Sequence, residues 1–166
     1  MNASALFQHV LETALAEVRA AGVSVFTFAL YHDHESSAVS VCVDTEANSW
    51  RAVDESNRYS AMHFQQAIAQ GDLPQAALWQ ASTGRNLSLG DFLLVNLART
   101  NLGEVSADDQ FYLKMVQAMM ANQLAIAALS THPARLLLAC SGRDSEVALV
   151  WSPQTNSDPV RAGCPA

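Results

Sequence analysis

The sequence predicts an α+β fold: an antiparallel sheet made from two hairpins, packed against several helices in a single layer. Two changes of hydrophobic period carry that prediction. Apolar residues repeat near 3.6 in the first twenty positions, alternate with period two from Val23 to Val43, and return to helical spacing for most of the chain until a second strand-like run at Leu136. Helices and strands therefore occur in blocks, helix, hairpin, helices, hairpin, with no internal repeat and no linker dividing them.

Residues 4 to 21 read as a helix, with Ser4 as N-cap, Leu6, Val10, Ala14 and Val18 on one face, and Gly22 ending it. From Val23 to Tyr31 both alternating sets are largely apolar, as in a strand from the middle of a sheet. The polar segment His32-Asp33-His34-Glu35-Ser36-Ser37 turns the chain into a second strand, Val39, Val41 and Val43 against Ser40 and Cys42, expected to be half exposed. Residues 44 to 55 read as a polar loop whose single large apolar residue is Trp50. A helix follows through Ala61, Phe64 and Ile68 to Gly71, and Asp72-Leu73-Pro74-Gln75 starts a short one running to Trp79. Ser88-Leu89-Gly90-Asp91 carries a similar start signal for a helix ending near Gly103. Ser106-Ala107-Asp108-Asp109 carries another, for a long helix over 107 to 130 whose Met115, Met119 and Ile126 face the core. Leu136 to Cys140 reads as a buried strand, Ser141-Gly142-Arg143-Asp144 as a turn, and Glu146 to Trp151 as the partner strand. The expectation is one α+β domain over residues 1–152, three to five strands, and a C-terminal tail over 153–166 rich in proline.

Half of the 166 residues are apolar, so a chain of this length can bury a core without disulfides or a structural metal. Sixteen acids face nine bases, only one of them lysine, which leaves no basic patch to replace the counterions of a nucleic acid. No apolar run is long enough to span a bilayer and no base precedes Arg19, so neither a membrane partner nor a secretory signal is expected. Cys42, Cys140 and Cys164 form no CxxC pair and are odd in number, consistent with a cytoplasmic protein with reduced thiols.

No G-x-S-x-G, G-x-G-x-x-G or G-x-x-x-x-G-K-[ST] can be written, and no cofactor is expected. The densest group of possible metal ligands, His32-Asp33-His34-Glu35, occupies a turn, where adjacent residues rarely converge three or four donors; a solvated turn is the simpler account. The acids are more informative. Residues 33 to 55 hold Asp33, Glu35, Asp44, Glu46, Asp54 and Glu55 against the single base Arg51, and so contain five of the chain's seven net negatives. With Trp50 and Tyr59 as aromatic anchors, these acids form a candidate surface for a basic protein partner; a solubilising face would have the same composition.

Two stretches resemble a known family. Phe26-Thr27-Phe28-Ala29-Leu30-Tyr31, an acidic turn, an alternating strand and Asp44-Thr45-Glu46-Ala47 are similar to the "FALY, acidic turn, NTEE" region of the bacterial domain of unknown function 4303. Ser141-Gly142-Arg143-Asp144, followed by a strand closing on Trp151-Ser152-Pro153, resembles that family's terminal hairpin. The resemblance implies a small cytoplasmic bacterial domain without assigned catalysis. By association with proteins of that kind it suggests an immunity protein that binds and occludes an antibacterial toxin domain. Two other functions remain open at this point: a small metal-dependent or hydrolytic enzyme using the His32 to Glu35 turn, and a homodimeric accessory protein that buries surplus apolar helix surface.

Overall fold

The computed structural model describes residues 2–153, so the expected tail lies outside the described residues beyond Pro153. Among the described residues four α-helices and five strands follow one another: α1 (Ala3–Ala21), β1 (Thr27–Asp33), β2 (Ala38–Asp44), α2 (Glu46–Ala69), α3 (Leu73–Ala77), β3 (Leu94–Asn101), α4 (Asp109–Ala127), β4 (Leu137–Cys140) and β5 (Leu149–Trp151). The α+β class holds, but the five-stranded sheet is mixed, in the order β3-β2-β1-β4-β5.

The helix ends follow from local chemistry. Asn2, not Ser4, caps α1, its Oδ1 accepting the Ala5 N–H at 2.9 Å, and Gly22 closes the helix in the left-handed conformation at φ 65°. Thr45 caps α2 through the Asn48 N–H, Asp72 caps α3 through Gln75 with Pro74 in the first turn, and Asp108 caps α4 through Phe111.

The apolar-on-both-faces pattern of the first strand correctly marks the centre of the sheet. β1 pairs antiparallel with β2 over Thr27↔Asp44 to Asp33↔Ala38, and on its other side with β4. That second pairing is parallel, Thr27↔Leu137 to Leu30↔Cys140, and corrects the expectation of a purely antiparallel sheet. α4 carries the chain back across one face, so β4 enters the sheet in the direction of β1; the terminal hairpin β4–β5 then closes antiparallel, Leu138↔Trp151 to Cys140↔Leu149. β2, expected half exposed, is buried throughout, because Val39, Val41 and Val43 enter the main core while Cys42 on the opposite face is covered by Leu89 and Phe92.

Two further expectations fail. Residues 44 to 55 are not a loop: Asp44 ends β2, Thr45 caps α2, and 46 to 55 form its first turns. Residues 88 to 103 are not a helix but a single 3-10 turn, Leu89–Asp91, followed by β3. β3 is an irregular edge strand: its pairing with β2 shifts register twice, and Asn96 and Ala98 both adopt positive φ, near 57° and 50°. Irregularity of this kind blunts an edge against pairing with another chain.

The main core lies between α1, α4 and one face of the sheet. Leu6, Phe7, Val10, Leu11, Phe28, Leu30, Phe111, Met115 and Met119 are buried together, and Phe7 and Phe111 contact with ring centroids 4.9 Å apart. The other face carries small residues, Ala29, Cys42 and Ala139, with Tyr31, under Leu89 and Phe92 of the connection leading to β3. Arg85 fastens this connection to the end of the sheet: its guanidinium donates to the Phe26 carbonyl (2.7 Å) and the Arg135 carbonyl (2.7 Å) and lies 3.7 Å above the Phe26 ring. In the final turn Gly142 has no space for a side chain, since a Cβ there would sit 2.7 Å from the Ala148 Cβ. Gly142→Ala is therefore expected to cost about 1–3 kcal/mol, read as a shifted urea midpoint at unchanged slope.

Candidate partner-binding surface

Strand register separates the acids that the sequence places close together. Asp33 pairs across from Ala38 at the hairpin tip, whereas Asp44 pairs with Thr27 at the opposite end, six residues along. At about 3.4 Å per residue that is roughly 20 Å. Asp33 and Glu35 therefore belong to one end of the sheet, and Asp44 and Glu46 to the other.

Asp44 is not a surface residue. It is 0% exposed, and its Oδ1 accepts three N–H groups, from the Thr45 backbone (3.0 Å), the Asn48 side chain (2.7 Å) and the Leu93 backbone (3.3 Å). Burial pushes its pKa up against the pull of those hydrogen bonds. Its position fixes the strand-to-helix corner and the start of β3, which corrects its assignment as a partner-contact residue.

Three of the remaining acids are already paired. Asp33 accepts from the Ser36 hydroxyl and meets Arg99 of β3 at 2.7 Å, and these two interactions, the Ser36 hydrogen bond foremost, hold its carboxyl well below the usual carboxylate range. Glu46 pairs with Arg135 at 2.6 Å, and Glu55 with Arg51 at 2.8 Å one turn earlier. Among the described residues Glu35 and Asp54 have no ion-pair partner. Surface pairs of this kind contribute on the order of 0–1 kcal/mol, but they reduce the field that the linear charge count suggests.

What the fold does bring together is the content of α2. Five of the eight candidate residues, Glu46, Trp50, Asp54, Glu55 and Tyr59, lie on this helix. Glu46, Trp50 and Asp54 are spaced four apart and share a stripe, with the Trp50 Nε1–H donating to Glu46 Oε1 at 3.4 Å. Over 24 residues α2 buries only Ser49, Val53 and Ala67. Its first turns are held to the connection before β3 by Asn48, which donates to the Asp91 carbonyl, and by Ser49, which accepts the Asn86 N–H. Tyr59 belongs to a separate aromatic group, with its ring centroid 4.4 Å from His63 and 5.8 Å from Trp79. Beyond it Met62, Phe64 and Ile68 of α2, and Leu73 and Leu78 at the two ends of α3, are exposed. Sequence reasoning assigned none of these a surface role. The available signal was a lack of charge, since residues 59–82 contain a single charged side chain, Asp72.

The His32 to Glu35 turn does not converge. His32 is buried beside Phe111, with Nδ1 3.0 Å from the Tyr112 hydroxyl, and His34 packs on it at 4.4 Å. Asp33 points instead to Arg99, and among the described residues no group of three or more His, Cys, Asp or Glu could hold a metal ion. Ser141, also buried, accepts the His32 backbone N–H and donates to the Glu146 carbonyl, bracing the hairpin rather than presenting a nucleophile. Burial, then the neighbouring His34, lowers the His32 pKa. A base whose folded pKa is depressed adds stability above its ordinary value near 6.5 and loses it as pH falls through the folded value. Lowering the pH below that range is expected to reduce the Tm of the wild type more than that of His32→Gln, whose side chain does not titrate. Cys42 and Cys140 are buried free thiols, and burial pushes Cys42 up to about 11, far from a reactive thiolate. No helix among the described residues is long and apolar enough to cross a membrane.

Comparison of the chain with family models, with curated proteins and with solved structures finds no match.

Proposed function

We propose that this protein acts by binding another protein rather than by turning over a substrate, and that it is a cytoplasmic immunity protein occluding a toxin domain with a basic surface. α2 carries this reading: a long helix whose first three turns set the exposed Trp50 and Asp54 in line with the half-buried Glu46, which pairs with Arg135. Such a helix suits docking into a groove, with the indole as the desolvated anchor and the carboxylates at the rim. Rim carboxylates mainly speed encounter with a basic partner, and salt weakens that effect. The hairpin-tip acids Asp33 and Glu35 lie at the other end of the sheet and form, at most, a second point of contact. The immunity assignment rests on the resemblance of the first and last hairpins to domain of unknown function 4303; the binding assignment rests on α2.

The test is differential capture. Immobilised wild-type protein and a Glu46→Lys, Trp50→Ala, Asp54→Lys variant are exposed to lysate of the source cell at low and high salt. The expected result is a basic protein retained by the wild type, lost with the variant, and weakened by salt. Equal retention by both baits, or no protein distinguishing them, would overturn the assignment of α2.

A further inference from the structure

The second half of α2, together with α3 and the residues that follow it, forms a helical arm with unusual surface chemistry. Tyr59, Met62, Phe64, Ile68, Leu73 and Leu78 each leave 40–73% of their surface in solvent. At about 100° per residue Phe64 and Ile68 share one side of α2, the side of the groove, and Tyr59 and Met62 the other, where Trp79 packs against Tyr59. The outer stripe of α4, Leu113, Met120 and Leu124, exposes only half as many such side chains.

Charge identifies the occupant. The chain carries −7, so two copies repel over most of their surfaces, yet residues 59–82 hold one charged side chain, and that carboxylate, Asp72, is engaged as the cap of α3. An arm without charge offers nothing to select a basic or acidic partner, and it is the part of this molecule on which a second copy can settle without like-charge repulsion. Shape points the same way. A mostly apolar groove of about 420 Å³ is lined by Asn57, Ala61, Phe64, Trp79, Gln80 and Ala81, and its outer neighbour Leu78 projects with 73% of its surface exposed. A hole and a knob on the same arm are what a two-fold contact requires, since each copy then supplies the leucine that fills the other's groove.

The geometry points to a homodimer in which the α2–α3 arms of two copies pack on one another, projecting leucine into Trp79-lined groove. The inference does not rest on the proposed partner, because the stripe of Glu46, Trp50 and Asp54 lies at the other end of α2.

Sedimentation velocity of the full chain over a dilution series tests it, with wild type beside a Phe64→Glu, Leu78→Glu variant. The wild type is expected to sediment with twice the mass of one chain and the variant as one chain. Both substituted positions are solvent-facing, so circular dichroism should give superimposable spectra and confirm that loss of dimer is not loss of fold. A wild type of single-chain mass at every concentration, or a variant that is folded and still dimeric, would overturn the proposal. As a second readout, the Trp79 emission maximum is expected to shift to longer wavelength on dilution in a Trp50→Phe, Trp151→Phe background; an unchanged maximum across dissociation would place the interface elsewhere.

Discussion

Replacing Asp44 with alanine is expected to destabilise the fold by about 3 kcal/mol, because it leaves three buried or half-buried N–H donors without their common acceptor. Asp44→Asn separates this structural role from a charge role. The amide oxygen keeps the acceptor position used by Thr45, Asn48 and Leu93, and the amide nitrogen replaces Oδ2, a buried atom that has no partner to lose. A cost of about 1 kcal/mol or less is expected for it. The pH dependence carries the same information. Since burial raises the Asp44 pKa above its ordinary 3.8, protonation favours the native state, and that contribution is present below 3.8 and lost as pH rises through the folded value. Relative to wild type, Asp44→Asn should therefore gain stability as pH rises towards neutrality. Denaturant midpoints of both variants from acid to neutral pH check this, and an Asp44→Ala variant as stable as wild type would contradict the described corner.

Phe111→Ala is expected to have the larger effect, about 4 kcal/mol for an aromatic ring removed from a closed core. Phe111 is buried at the meeting point of α1, α4 and β1, with ring centroids 4.9 Å from Phe7 and 5.4 Å from His32. Its loss opens a cavity and removes the ring against which the neutral imidazole is held. For a domain of this size the Tm should fall on the order of 10 °C. Calorimetry of the variant at pH 7 measures it. A drop of only a degree or two would show that α4 does not pack on β1 as described.

The parts of the fold that were legible in the sequence are those fixed by neighbours along the chain. Gly22 and Asp72 with Pro74 mark helix ends by satisfying or releasing nearby backbone groups, and the two apolar faces of β1 mark a central strand whatever lies beside it. The failures depend on distant residues. Leu94 to Asn101 form a strand because the edge of β2 requires a partner, and that demand outweighs the helix-start pattern at Ser88. Residues 46 to 55 form a helix although they bury little, because Thr45 caps them and Asp44 anchors the corner. The parallel pairing of β1 with β4 depends on the return path of α4, which no local pattern encodes.

The candidate surface divides along the same line. A linear count placed five net negatives between Asp33 and Glu55, but Arg99 and Arg135, far along the chain, fold back onto Asp33 and Glu46. Charge along a sequence became a surface only in part, while the exposure of Trp50 and of the uncharged arm emerged from the way α2 leaves the sheet.

Amide hydrogen exchange of the protein alone and with the partner it captures tests docking through α2 most directly. Protection should appear on residues 46–58, with the sheet and α1 unchanged. Protection confined to the hairpin tip or to the β4–β5 end, or no partner whose binding protects α2, would contradict docking through this helix.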